Sequence, residues 1–278
     1  MMHLDEYIEK FLVYLEDVRG YSQTSVLTYE TALAQMQKVS HFYEEDGEML
    51  LDITPFRFAI AKNHKKTIAK KLSAVRSFAK YLKDQEKLSV KLIADESIKV
   101  PQSLPKPIEE NYIEEVLQKA TLEEKLLVMI LYGLGLRISE LASLKLADID
   151  HGWVRIHGKG NKTRQLPILN SIQVLIDRYT DQKMPKKYLF EKGNAPMNSA
   201  QLRYKLTGLF KASGIKATPH QLRHSFATHL LNHGARIADV SELLGHATMA
   251  TTQVYTKLGS VKKMQEYMKA HPLAKSEE

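Results

Sequence analysis

The sequence predicts a mainly α-helical protein of two domains, with one small β-hairpin in the second. Three observations carry that reading. Apolar residues recur at helical spacings through most of the first hundred residues and again from about residue 109. Pro101, Pro105 and Pro107 crowd the stretch between, where missing N–H donors and restricted neighbours favour extended chain. Trp153-Val154-Arg155-Ile156-His157 and Thr163-Arg164-Gln165-Leu166-Pro167-Ile168 flank Gly158-Lys159-Gly160-Asn161-Lys162 and read as strand, turn, strand. The expected division is a helical domain at 1–98, a Pro-rich linker at 99–107 and a second domain at 108–278. A chain of 278 residues allows each domain a core of its own.

Residues 3–18 place Leu4, Ile8, Phe11, Leu12 and Leu15 on one helix face. Ser22 to Ser25 offers caps for a second helix through Val26, Tyr29, Leu33 and Met36. Glu44-Glu45-Asp46-Gly47 is a turn, and Thr54-Pro55 starts a short third helix. The clearest helix runs over 64–85, with Ile68, Leu72, Val75, Ala79 and Leu82 as its apolar stripe. The first hundred residues thus read as an all-helical domain. Beyond the linker, helices are expected at 109–119 and 122–134, then the hairpin. Helices dominate again from 170, around a loop near 191–198.

The composition, 44% hydrophobic and 26% charged, is that of a globular protein, and no apolar run is long enough to span a membrane. The opening Met1-Met2-His3-Leu4-Asp5-Glu6 lacks the basic-then-apolar order of a signal peptide, so a cytoplasmic location is expected. Without cysteine there is no disulfide, thiolate or cysteine-bound metal chemistry. The net charge of +8 is unevenly placed. Residues 1–61 carry 4 basic and 11 acidic side chains, whereas 62–99 carry 11 basic and 4 acidic. Two readings of the cationic helix stand: a surface for a polyanion, through Lys66, Lys70, Arg76 and Lys80, or an ordinary solvated face.

One set of groups suits phosphodiester chemistry. His220-Gln221-Leu222-Arg223, then Leu243-Leu244-Gly245-His246, then Tyr255 follow in order, with Arg137 upstream in Gly135-Leu136-Arg137-Ile138-Ser139-Glu140-Leu141. A pentacoordinate phosphate carries extra negative charge, which planar guanidinium forks match. Two arginines, two histidines and a tyrosine therefore supply clamps, proton carriers and a nucleophile. Glu140, three residues after Arg137, either orients that guanidinium from behind or is an exposed helix charge. His220 and His224 are spaced like zinc ligands, but no glutamate lies between them, and no metal or organic cofactor is expected.

These motifs resemble the tyrosine recombinase (phage integrase) family, and within it the Xer-type site-specific recombinases. Thr218-Pro219-His220-Gln221-Leu222-Arg223-His224-Ser225-Phe226-Ala227-Thr228-His229-Leu230 is similar to the family's main signature. Leu243-Leu244-Gly245-His246 with Val254-Tyr255-Thr256 is similar to its closing segment, and Gly158-Lys159-Gly160-Asn161-Lys162 to its lysine hairpin. The resemblance implies a SAM-like, core-binding N-terminal domain and an α+β catalytic domain. It makes Tyr255 the nucleophile that forms a 3′-phosphotyrosine, and Lys159 the acid for the leaving 5′-oxygen, with Lys162 in the same turn as the rival lysine and otherwise a DNA-binding residue.

Partners implied are a double-stranded DNA site and a homo- or hetero-tetramer on paired sites that works through a Holliday junction. A second recombinase or a DNA translocase is compatible with the same resemblance, and no membrane is involved. Dimer resolution and mobile-element integration or excision share this chemistry. Type IB topoisomerases use a similar residue set, and a non-catalytic DNA-binding relative is the other alternative. About twenty residues follow Tyr255. Family analogy docks such a tail on a neighbouring subunit, and a local cap on its own domain is the alternative.

Overall fold

Amphipathic helices organise both halves of the computed structural model, which describes residues 4–100, 106–158, 163–245, 267 and 269–273. The chain divides into two compact units, Met1–Ser103 and Leu104–Glu278. In the first, the opening helix is α1, Leu4–Val13, continued by a single π-helical turn at Tyr14–Val18. Then follow α2 (Gln23–Gln37), α3 (Thr54–Ile60) and α4 (Lys65–Asp84). Pro55 sits in the first turn of α3, where a backbone donor would have no intrahelical partner. The stripe expected on α4 is the buried one: Ile68, Leu72, Val75, Ala79 and Leu82, joined by Phe78. It packs with Phe11, Leu33, Met36, Ile53 and Phe56 into one core.

This unit is not all-helical. Strands β1 (His41–Glu45) and β2 (Glu48–Asp52) form an antiparallel hairpin, and β3 (Val90–Ile93) adds to β2 in parallel, in the order β1-β2-β3. The expected turn is the tip of that hairpin. Asp46 and Gly47 both take positive φ, +50° and +79°, which matches the twist of the flanking strands.

In the second unit, α5 (Glu110–Lys119) and α6 (Leu122–Gly133) occupy the predicted stretches. Thr121 and Glu124 close a capping box at the start of α6: Glu124 Oε2 accepts from Thr121 N at 3.0 Å, and Thr121 Oγ1 accepts from Glu124 N at 3.4 Å. Leu126 through Gly133 are all buried, so α6 is the central rod. Helices α8 (Asn170–Lys183), α9 (Ser199–Ala212) and α10 (Pro219–Asn232) pack on it.

Short α7 (Ile138–Ala142) leads to an antiparallel sheet of β4 (Ile149–Asp150), β5 (Trp153–His157) and β6 (Thr163–Pro167). Its register pairs Val154 with Leu166 and Ile156 with Arg164. The stretch expected as a loop near 191–198 holds a small hairpin, β7 (Glu191–Lys192) and β8 (Ala195–Pro196). Helix α11, Ile237–Leu244, closes the continuous described chain.

The described C-terminal residues pack on this same unit. Tyr267, Ala270, His271 and Leu273 are buried, and the Tyr267 hydroxyl donates to the Gly133 carbonyl. The His271 ring lies 5.5 Å from that of Tyr132 and 5.6 Å from that of Phe226. Burial pulls this imidazole's pKa down to about 3, with the Tyr132 backbone carbonyl opposing and His229 and His233 adding to the fall. Among the described residues no helix is long and apolar enough to cross a membrane.

Candidate active site

Helix α10 opens on Thr218, whose Oγ1 accepts from Gln221 N at 3.2 Å, with Pro219 at the first helical position. Three residues apart, His220 and Arg223 share one side of that first turn. His220 is exposed, whereas Arg223 is buried at 7% exposure. The Arg223 guanidinium donates through Nη1 to the Gly135 carbonyl at 2.5 Å and through Nη2 to the Leu244 carbonyl at 2.6 Å.

Both acceptors are exposed by a left-handed glycine. Gly135, between α6 and α7, has φ +60°, and a Cβ there would stand 2.5 Å from Phe226 Cδ1. Gly245, at the C-cap of α11, has φ +65° and ends the helix with its last carbonyls open to cations.

Arg137 is the N-cap residue of α7, and Glu140 lies in its first turn. The Glu140 carboxylate accepts from Arg137 N at 2.8 Å and from Arg137 Nη1 at 2.9 Å. It also receives Arg164 of β6 as a fork, Nη1 and Nη2 each at 2.9 Å, while Arg223 Nη1 stands 3.9 Å from Oε2. Glu140 is therefore the buried orienting group, not an exposed helix charge. Its burial pushes the carboxyl pKa up, but the bonds and charges of Arg164 and Arg137 outweigh this and hold it below the usual carboxylate range. Burial, with Arg137 beside it, pulls the Arg223 pKa down to about 10 against the pull of Glu140, so the group stays protonated at neutral pH.

The centre so formed has three guanidiniums around one carboxylate, a surplus of positive charge. Arg137 keeps its side chain 44% exposed and Arg223 8%, so one cation faces solvent and the other is fixed in the wall. A surplus of positive charge held in this way suits an anion with two or more acceptor oxygens.

Arg137, Glu140 and Arg223 are thus brought together, with His220 one turn away. Lys159, Lys162, His246 and Tyr255 lie outside the described residues. Arg164 was missed by sequence reasoning, yet it left a signal. It shares strand parity with buried Leu166, so it points inward and requires a carboxylate.

On α4, Lys66, Lys70 and Lys80 are exposed as expected. Arg76 is half-buried, and its guanidinium donates to Asp95 Oδ1 at 2.7 Å and to the Asp95 carbonyl at 3.0 Å. That arginine ties α4 to the chain just after β3. Among the other histidines, His229 is buried with its Nδ1 2.8 Å from the Tyr132 hydroxyl, a structural role.

The model for the Phage integrase family matches residues 106–260, and that for the Phage integrase N-terminal SAM-like domain matches residues 8–86. The chain therefore belongs to the phage integrase family. Within it, the kinship is with Xer tyrosine recombinases over the full length. Tyrosine recombinase XerC of Bacillus licheniformis is 32% identical over 99% of both chains. Tyrosine recombinase XerD of Listeria monocytogenes serovar 1/2a is 33% identical over 98% of this chain and 100% of its own. The crystal structure of XerA recombinase aligns with TM-score 0.50 at 25% identity, covering 97% of this chain and 99% of that one. The fold also matches XerH site-specific recombinase bound to palindromic difH substrate, with TM-score 0.66 at 19% identity over 97% and 82% of the two chains. These relatives favour recombination over the topoisomerase alternative.

Proposed function

We propose that this chain cuts and rejoins double-stranded DNA at a specific site, with Tyr255 as nucleophile. The observation that carries the reading is the pair Arg137 and Arg223 held around one buried carboxylate, a cationic centre that suits a phosphodiester. Arg137 and Arg223 bind the non-bridging oxygens of the scissile phosphate. The Tyr255 phenol, ordinarily with a pKa of about 10, gives its proton to a histidine, His220 or His246, as its oxygen bonds to phosphorus. The bond to the 5′-oxygen breaks, and Lys159 protonates that leaving group. The product is a 3′-phosphotyrosine and a free 5′-hydroxyl. A 5′-hydroxyl from a second strand reverses the step and rejoins the DNA, so the ester bond count is conserved and no ATP is consumed.

In this reading residues 1–98 form the core-binding domain, 99–107 the linker and 108–278 the catalytic domain. The lysines of α4 add phosphate contacts, whose affinity falls with salt. Four copies, or two pairs with a second recombinase, act on paired sites through a Holliday junction. The full-length kinship with XerC and XerD supports an Xer-like role in resolving dimeric DNA. The test is a nicked suicide substrate that traps the covalent complex. Wild type accumulates it and Tyr255→Phe does not; equal amounts from both would refute the assignment. Relaxation of a plasmid without a cognate site would point to topoisomerase activity instead.

A further inference from the structure

Arg164 lies on the inward face of β6, opposite Ile156 and in line with Leu166, with its side chain 13% exposed. Long cationic side chains seldom occupy that side of a strand unless fully paired. Here three donors are engaged: Nη1 and Nη2 on the two oxygens of Glu140, and Nε on the Leu243 carbonyl at 2.9 Å. The backbone closes around it, since a Cβ on Gly245 would stand 3.1 Å from Arg164 Cδ.

A carboxylate offers about four lone-pair sites. At Glu140 two are taken by Arg137, through its backbone N and Nη1, and two by Arg164. Arg223 is left at 3.9 Å, close enough to feel the charge but outside hydrogen-bond reach. Without Arg164, two acceptor sites would open beside Arg223, and the carboxylate could close on that guanidinium.

We propose that Arg164 is a positioning residue for the phosphate clamp. By saturating Glu140 it keeps Arg223 from being neutralised, and by holding Leu243 it fixes the end of α11 beside the Leu244 carbonyl that Arg223 grips. It touches no substrate itself. The proposal rests on the reading of the site as a DNA-cleaving centre. It assigns the second arginine's effective charge to a residue outside the cleavage motifs.

The test uses the full-length protein and single-turnover cleavage of the suicide substrate at saturating DNA, with binding measured separately. Arg164→Ala should slow cleavage by on the order of 10²-fold, the scale of one lost transition-state donor, while DNA affinity changes little. Arg164→Lys keeps the charge and the stem but cannot fork, so it should remain slow while melting near wild type. Added guanidinium ion at low concentration should restore part of the alanine variant's rate, which a packing defect would not allow. In a Glu140→Gln background, Arg164→Ala should add no further loss.

A folded Arg164→Lys protein that cleaves at the wild-type rate would overturn the proposal. So would additive losses from Arg164→Ala and Glu140→Gln. If Arg164→Ala fails to fold, the lysine variant still decides. Wild-type protein that traps no covalent complex would sink the cleavage reading; a wild type that traps it and a lysine variant that traps it equally fast would sink only the role of Arg164.

Discussion

The lysines of α4 and the arginines around Glu140 carry the same charge under opposite constraints. Lys66, Lys70 and Lys80 stand exposed on a helix whose other face is buried, free to meet any phosphate and fully screened by salt. Arg137 and Arg164 are tied to one carboxylate, Arg223 stands 3.9 Å from it, and Arg164 and Arg223 are held by the carbonyls of Gly135, Leu243 and Leu244. The first arrangement suits affinity that adds up contact by contact. The second suits a reaction, because its dipoles are already in place when negative charge builds up. The same pair of regions shows how Arg76 departs from its helix: a cation with a fixed partner belongs to the fold, whatever its neighbours do.

The sharpest way to break the contrast is at Glu140. Glu140→Ala strands buried Arg164 and Arg223 without their counter-charge, so the second unit should lose about 3–5 kcal/mol, read by denaturant unfolding. A loss below about 1 kcal/mol would make this centre no different from a surface ion pair. Burial with no counter-charge among the described residues is found at His271, and there the sign is set by pH. Its docked pKa of about 3 lies below the ordinary value of 6.5, so the docked form binds fewer protons. Docking should be whole above about pH 6.5 and weaken by up to about 1.4 kcal/mol per unit as pH falls below it. Limited proteolysis of the C-terminal segment at neutral and mildly acid pH reads this, and His271→Phe should flatten the response.

On the exposed side, replacing Lys66, Lys70 and Lys80 together by Gln should lower the slope of log affinity against log salt by roughly 2–3, at about 0.9 per phosphate contact. The cleavage rate at saturating DNA and the melting temperature should hold. An unchanged slope would remove α4 from the DNA surface. The smallest effect is expected at Arg76→Gln: the salt slope stays, and stability falls by about 1 kcal/mol or less as the pair with Asp95 is lost.

Much of this was legible in the sequence where a period is long. The stripe of α4 and the apolar length of α6 each span several turns, so a few exposed positions do not hide them. The sheet of the first unit escaped because its strands are short and unpatterned: β1 is exposed at four of five positions, and β2 shows only a brief apolar run that fits a helix equally well. The arginines of the cleavage motifs were legible because their neighbours are distinctive. The pairings of Arg164 and Arg76 were not legible, since each finds its carboxylate far along the chain, at Glu140 and Asp95, and no local spacing reports such a pairing. For Arg164 strand parity held half of the answer, an inward cation, without naming its partner.

Gly135 carries a last consequence, for how the protein can change over time. Its backbone occupies a region closed to most side chains, and the Phe226 ring fills the volume where one would begin. Trimming Phe226 would clear the space and leave the backbone angle unrelieved; relaxing the angle would turn away the carbonyl that Arg223 holds. No one-codon path leads out of that arrangement, so descendants of this chain should vary around the position while the position itself stays still.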